Sequence, residues 1–254
     1  MIRPIRVRPM TASDRALDHA RELVATARRV EVFTGAGISA DSGLATYRDA
    51  VTGIWENVDP TAMASIDAWA KDPDTMWAWY RWRAHLASQA EPNAGHLALA
   101  KWATYTPLTV TTQNIDDLHE RAGSRDVVHL HGSLFHYRCA VCGRPYKGDV
   151  EKPAPPQCPL CGNLVRPGVV WFGEPLPARE WEEAERRMRE ADLVVIVGTS
   201  GVVYPAAGLP RLAHEQGTPI IEVTPMETDL TPLATVTLLD TAANALPALI
   251  ADLD

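Results

Sequence analysis

Residues 30–43 read VEVFTGAGISADSG, and the way this stretch is read decides the fold. Val30 to Phe33 reads as a short buried strand, and it leads directly into Gly35. A strand, a glycine-rich turn and a polar helix start form the opening of a dinucleotide-binding unit. Gly35-Ala36-Gly37-Ile38-Ser39-Ala40 matches the G-x-G-x-x-G/A pattern, in which glycines let the backbone approach a pyrophosphate. Alone the motif is weak, because the same turn serves plain strand-to-helix packing. It also departs from an ordinary unit of this kind, since no second strand ending in an acid follows about twenty residues on.

Outward from this point the chain alternates. Upstream, Thr11 and Asp14 form a capping-box-like start to a helix with Leu17, Ala20, Val24 and Ala27 at helical spacing. Downstream, buried strands are expected at Leu108–Thr112, Val127–Leu130, Leu193–Val197, Pro219–Val223 and Ala234–Leu238. Helical patterns separate several of them, at Asn93–Ala103, Ile115–Ala122, Ala178–Ala191 and Ala206–Gln216. Such alternation implies an α/β fold, a Rossmann-like doubly wound parallel sheet covered on both faces. Two stretches break the rhythm. Residues from Tyr47 to Glu91 are aromatic and helical, with Trp55, Trp69, Trp77, Trp79, Tyr80 and Trp82, and residues from Phe135 to Arg166 are rich in Cys, Pro and Gly. Together they predict a smaller lobe, with a cleft between lobes at the carboxyl ends of the strands.

The chain has 254 residues, 46% hydrophobic and 22% charged, which suits one large domain with a smaller insert. A net charge of −8 with no basic run argues against nucleic acid as the main partner. No apolar stretch approaches bilayer length, and no hydrophobic segment follows Arg3, Arg6 and Arg8. Neither membrane insertion nor secretion is therefore expected, and a cytoplasmic location is.

The four cysteines are Cys139-x2-Cys142 and, after fifteen intervening residues, Cys158-x2-Cys161. This is the spacing of a tetrathiolate zinc ribbon, and Gly143 and Gly162 after each pair suit its tight turns. Two redox pairs or disulfides are the alternatives; a cytoplasmic chain disfavours stable disulfides, and a duplicated CxxC with no other cysteine favours metal. Four protein ligands leave no open position, so the metal is expected to be structural.

Residues 111–133, TTQNIDDLHERAGSRDVVHLHGS, concentrate polar groups after two strands. Gln113, Asn114 and Asp116 sit just past Leu108–Thr112, where ligand-facing residues belong in this fold, although helix capping explains the same residues on spacing alone. His131 follows a strand and precedes Gly132; for a lone histidine there, a structural role at the strand end is the favoured reading.

Taken together, GAGISADSGLATYR, TQNIDDLHERAG, HLHGS, the paired CxxC motifs, RPGVVWFGEPLP and GTSGVVYPAA resemble, in order and spacing, the catalytic core of the sirtuins, NAD-dependent protein-lysine deacylases. The likeness runs from about Val30 to the end. It implies a single catalytic domain over 1–254: an NAD-binding lobe (1–46, 92–134, 167–254) and a small lobe of a helical module (47–91) and a zinc ribbon (135–166). Carried over by position, it implies NAD against Gly35, Ala36, Gly37, Ile38, Ser42, Tyr47, Arg48, Gln113, Asn114, Ile115, Asp116, Gly198, Thr199 and Ser200, with Thr224 and Ala242 flanking the adenosine. Asn114 and Asp116 would line the nicotinamide and ribose pocket, and His131 would be the general base. Val169–Glu174 and Gly201–Val203, including Val170, Phe172, Gly173, Glu174 and Val202, resemble the two strands between which a substrate peptide adds as a third. In the chemistry so implied, the acyl-lysine oxygen attacks the ribose carbon as nicotinamide leaves. His131 then takes a ribose hydroxyl proton so that this oxygen attacks the imidate carbon, and water completes release of lysine and an O-acyl-ADP-ribose. The family commonly has Phe at the position of Tyr47, Asn at Thr224 and Leu at Gly201.

Gly201 and the VVYPAA after it resemble the class III branch, which removes acidic acyl groups. Trp79-Tyr80-Arg81-Trp82-Arg83 supplies the Tyr and Arg, three residues apart, that also mark that branch. Positions i and i+3 share a helix face, so Tyr80 and Arg83 can hold a distal carboxylate of succinyl-, malonyl- or glutaryl-lysine. Without the resemblance, a packed aromatic helix with its arginines in solvent explains the pattern. The competing functions are a mono-ADP-ribosyltransferase using the same NAD pocket, and a non-catalytic reader, which has no need of His131.

Overall fold

The computed structural model describes residues 11–44 and 63–253. Along the chain its strands are β1 Val30–Thr34, β2 Leu108–Thr112, β3 Val127–His129, β4 Gly132–Cys139, β5 Pro145–Tyr146, β6 Val165–Val169, β7 Leu193–Val197, β8 Ile220–Thr224 and β9 Val236–Leu239. The α-helices are α1 Ala12–Thr26, α2 Ile66–Lys71, α3 Pro73–Gln89, α4 Ala94–Trp102, α5 Leu118–Arg121, α6 Ala178–Glu190, α7 Leu209–Glu215 and α8 Ala242–Leu249. Six strands form one sheet in the order β3-β2-β1-β7-β8-β9, all adjacent pairs parallel. Counted within this sheet alone, that is the 3-2-1-4-5-6 order of a Rossmann fold.

LVVIV at β7 shows why the sheet is covered on both sides. Its side chains alternate, so Leu193, Val195 and Val197 join a core under α1, α4 and α8. Val194 and Ile196 join a second core under α6 and α7. A strand buried on both faces needs this continuous apolar run. β1 obeys the same alternation, with Val30 and Val32 to the first core and Phe33 to the second. Glu31 breaks the apolar run. Burial lifts its pKa to about 7, and the Thr109 hydroxyl bonds its carboxyl across to β2.

Two expected helices are shorter than their sequence patterns. Ile115–Ala122 yields only α5, because the backbone before it is tied elsewhere: Gln113 N–H to Thr34 O, Leu134 N–H to Ile115 O, and Leu118 N–H to the Asp116 carboxylate. Ala206–Gln216 splits into a 3₁₀ turn at Ala206–Gly208 and α7, with Pro210, which has no N–H to offer, in the first turn of α7. The Thr11/Asp14 capping box is formed in both directions, at 3.1 and 2.8 Å.

β4, β5 and β6 form a separate antiparallel sheet in the order β5-β4-β6. α3 lies against it, burying Met76, Trp79 and Tyr80 with Leu134, Val169 and Trp171. Trp77 Nε1 donates to Lys152 O at 2.9 Å and Arg81 to Glu151 O at 2.6 Å, so helix and ribbon form one small lobe. Among the described residues no helix is long and apolar enough to cross a membrane.

Candidate active site

The strand register levels the carboxyl ends: Thr34 pairs with Thr112 on one side and Val197 on the other. β2 lies to one side of β1 and β7 to the other, so the crevice at this switch point is where ligands bind in such sheets. Two glycine turns meet there. A Cβ on Gly37 would lie 2.7 Å from Gly198 Cα, and one on Gly35 would lie 2.7 Å from Thr199 Cβ. Gly198 itself has φ +59. Gly35 N–H and Gly37 N–H donate to Val197 O and Gly198 O. Glycine is therefore demanded here by turn-to-turn packing, independently of any ligand. Ala36 opens the 3₁₀ turn Ala36–Ser42 that follows.

Gln113, Asn114, Asp116 and His131 are brought together at this edge with a residue that the sequence reading passed over, Ser39. The Ser39 hydroxyl donates to Asp116 at 3.2 Å and accepts from Asn114 Nδ2 at 3.1 Å. Gln113 Nε2 donates to Thr199 Oγ1 at 2.8 Å, joining the β2 loop to the β7 turn. Underneath, Asn114 N–H donates to Thr112 Oγ1, which accepts from Thr34 Oγ1 at 2.8 Å, and Thr34 in turn touches His119 Nε2 at 3.0 Å. Ser39, Thr112 and Thr34 are all buried. Asn93 Nδ2 fastens the 3₁₀ turn from below through Ile38 O (2.7 Å) and Ser42 Oγ (3.0 Å). Burial raises the Asp116 pKa, against the bonds from Leu118 N–H and Ser39.

His131 Nδ1 lies 2.8 Å from Gln113 O. A carbonyl only accepts, so Nδ1 carries the proton and Nε2 keeps its lone pair. Burial lowers the His131 pKa, with the Gln113 bond opposing, so the ring is neutral at pH 7. A neutral imidazole with a fixed tautomer is a competent base. His129 has a different setting: it bonds Glu120 at 2.7 Å and Asn114 O at 2.9 Å. Burial works against its charge, but Glu120 outweighs that and holds its pKa above the ordinary value.

The small-lobe wall runs from β6 into residues 170–174. Val170 N–H donates to His131 O and Phe172 N–H to Ala64 O, both at 2.8 Å, which sets this strand beside the histidine. Phe172 and Val202 are each 46% exposed, and Gly173 turns the chain at φ +87. Glu174 points the other way, its oxygens bonded to Arg166 and to Trp171 N–H. Tyr80 is buried edge-on against Trp79 and within 6.1 Å of Trp171, and Ile115 packs on the same cluster. The Arg83 guanidinium stacks 5.0 Å from the Trp79 ring and 5.7 Å from Tyr80, so phenol and guanidinium sit side by side.

Thr224 ends β8 with its hydroxyl on Met226 O at 2.8 Å, Ala242 opens α8 behind α4, and Ser200 O accepts from Asp229 N–H. Tyr47 and Arg48 lie outside the described residues.

The four cysteine sulfurs lie within 4.8 Å of one another, with Cys139 to Cys161 at 3.5 Å and Cys142 to Cys158 at 3.8 Å. Tetrahedral Zn–S bonds of about 2.3 Å put sulfurs about 3.8 Å apart, whereas a disulfide would need about 2.05 Å. Gly143 and Gly162 adopt φ +69 and +71, turning each knuckle back on the metal position. This donor set fits one structural zinc.

A family model described as Sir2 family matches residues 35–205. An "NAD-dependent protein deacylase" of Corynebacterium glutamicum is 61% identical over 246 residues, covering 93% of this chain and 95% of that one. A solved Sir2 homolog–NAD complex is 43% identical with a TM-score of 0.87, covering 92% of each chain. A Sir2 variant solved with a deacetylated p53 peptide and 3′-O-acetyl ADP ribose is 31% identical with a TM-score of 0.83, covering 93% of this chain and 98% of that one.

Proposed function

Because the chain belongs to the Sir2 family, we infer that it removes acyl groups from protein lysine side chains in an NAD-dependent reaction, releasing nicotinamide and an O-acyl-ADP-ribose. The observation that carries this reading is His131 at the switch point, its Nδ1 proton committed to Gln113 O and its Nε2 free to accept one. NAD would supply an electrophilic ribose carbon, with nicotinamide as the leaving group and the ADP-ribose part as the acceptor of the acyl group. Around it, Gly35 to Ile38, Ser42, Gln113, Ile115 and Gly198 to Ser200 form the cradle, together with Tyr47 and Arg48 of the adjoining segment and Thr224 and Ala242 toward the adenosine. Asn114 and Asp116, bridged by Ser39, orient the nicotinamide end. His131 takes the ribose hydroxyl proton. Val170, Phe172 and Gly173 face Val202 across the peptide groove.

Tyr80 and Arg83 extend the site to acidic acyl groups, with Arg83 supplying the charge that a succinyl or malonyl carboxylate seeks. Their packing against Trp79 and Trp171, which connect to the peptide strand, supports that placement. The large lobe in this reading is 1–46, 92–134 and 167–254, the helical module 47–91 and the ribbon 135–166, and residues 170–174 are the part of the large-lobe segment that packs on the small lobe and forms its wall of the cleft. The protein works in the cytoplasm on acylated proteins.

The test is incubation with matched acetyl-, succinyl- and malonyl-lysine peptides, with and without NAD, followed by mass spectrometry. NAD-dependent loss of succinyl or malonyl faster than acetyl is expected. Acetyl loss alone discards the Tyr80/Arg83 reading, and ADP-ribose appearing on protein with no acyl loss replaces the deacylase by an ADP-ribosyltransferase.

A further inference from the structure

The carboxylate of Glu174 is gripped from the zinc ribbon. Arg166 reaches Oε1 at 2.5 Å and Oε2 at 2.9 Å, a two-pronged contact, and Arg138 reaches Oε1 at 3.4 Å. The same Arg166 donates to Val169 O at 2.8 Å, and its guanidinium lies 3.1 Å from the centre of the Trp171 ring. Trp171 N–H closes the turn onto Glu174 Oε2 at 2.8 Å. The Arg166 side chain is 4% exposed and that of Glu174 15%. Burial alone would raise the Glu174 pKa, but the arginine bonds and the Trp171 N–H outweigh it and hold the group below its ordinary value.

Both arginines belong to strands that lead to the metal site: β4 ends at Cys139, and β6 begins at Val165, four residues after Cys161. Arg138 and Arg166 stand opposite each other across β4 and β6, and the next pair along the ladder is Cys139 with Val165. Val165 packs on Cys139 and Cys158. Two like charges directly opposite on neighbouring strands repel, and Glu174 is the anion that joins them. At their other ends the same strands reach the cleft: β4 starts at Gly132, beside His131, and β6 ends at Val169, where the turn begins.

We propose that Glu174 is a positioning residue that couples the substrate-binding turn to the zinc ribbon, so that zinc retention and acyl-peptide binding reinforce each other. It acts through Trp171 and the turn backbone rather than by touching substrate. The identity of the ligand rests on the deacylase reading; the clamp itself does not. If an ordered ribbon favours the peptide-competent turn, bound peptide must hold zinc more tightly by the same factor.

The experiment uses the zinc-loaded full chain, a colorimetric chelator to follow zinc release, a fluorescent acetyl-lysine peptide read by anisotropy, and calorimetry for NAD. Saturating peptide is expected to slow wild-type zinc release about threefold or more. Glu174→Gln is expected to release zinc faster, to bind peptide about tenfold more weakly and to lose the protection by peptide, with NAD affinity within about twofold of wild type. Arg166→Lys keeps the charge without the fork and falls between the two. Zinc release that ignores bound peptide, or that is unchanged in Glu174→Gln, overturns the coupling. A wild-type chain that binds no acyl peptide sinks the deacylase reading instead, and basal zinc release from Glu174→Gln still decides the clamp.

Discussion

On the large-lobe side of the cleft, Asn114, Ser39 and Asp116 are held by bonds of 3.1 and 3.2 Å suspended from the ends of parallel strands. The groups below them, Thr112, Thr34 and His119, are buried and uncharged, with burial holding the His119 pKa well below 6.5. On the small-lobe side, the turn of residues 170–174 is held by a carboxylate between two arginines, an arginine on an indole ring, and strands that lead to a metal site. The first wall inherits its geometry from a sheet with two apolar cores. The second has a small core of its own and depends on charge and metal for the rest. Perturbations should therefore separate: some disable the peptide side and spare the NAD side, others the reverse.

Metal removal should separate them most. Zinc contributes on the order of 10 kcal/mol to ordering a ribbon of this kind. Chelation or Cys142→Ser is expected to abolish acyl removal while circular dichroism keeps most of its helical and strand signal and NAD still binds. Metal-free protein with full turnover contradicts the dependence; loss of NAD binding along with peptide binding would erase the contrast between the walls.

His131→Ala is the opposite perturbation. It leaves the ribbon intact and removes the base, so turnover should fall roughly 10²–10⁴-fold. Peptide affinity and thermal stability should remain near wild type, because the ring makes one bond, to Gln113 O, among those described. Near wild-type turnover in steady-state assays would remove His131 from the base role.

Much of this contrast was legible in the chain, but unevenly. The runs at 30–33, 108–112 and 193–197 predict β1, β2 and β7 almost to the residue, most plainly LVVIV at 193–197, because a strand buried on both faces favours a near-continuous apolar run. The cysteine spacing predicts the zinc ribbon for an equally local reason. Ser39 was passed over although it lies inside the glycine motif, since its partners Asn114 and Asp116 are 75 and 77 residues away. Only the register of β1 against β2 brings them together. Glu174 reads from sequence as part of the substrate strand. Its hold on Arg166 and Arg138 depends on β4 pairing with β6 across a bulge between Ser133 and Tyr137, which no local pattern announces. Helix α5 is short for a similar reason: just before it, Gln113 N–H and Ile115 O are tied to distant backbone, and Leu118 N–H to the Asp116 side chain.

A subtler division lies within the small-lobe wall, between holding the peptide and choosing the acyl group. Arg83→Met keeps bulk against Trp79 and Tyr80 but removes the charge. A charged hydrogen bond is worth roughly 1.5–3 kcal/mol, so desuccinylation should fall about 10–150-fold relative to deacetylation. Comparing kcat/KM on matched peptides measures this directly. Equal losses on both substrates would mean that Arg83 supports the aromatic cluster and not the acyl group.

The mildest effect should come from pH, and its sign differs for the two walls. His131 has its pKa lowered from 6.5 by burial, so the neutral base is present above that lowered value and is lost as pH falls through it. Were the value still 6.5, activity at pH 6 would drop about fourfold; the lowered value makes the loss smaller. The clamp behaves differently. Glu174 lies below its ordinary 4.5 and remains ionised against Arg166 throughout the same range, so it loses its charge only in stronger acid. With an acetyl-lysine peptide, whose acyl group does not titrate, kcat should decline toward acid while peptide KM stays flat between about pH 8 and 5. A KM that climbs in step with a constant kcat would mean that the titrating group belongs to the peptide wall, and the assignment of neutral chemistry to one side and charged positioning to the other would have to be reversed.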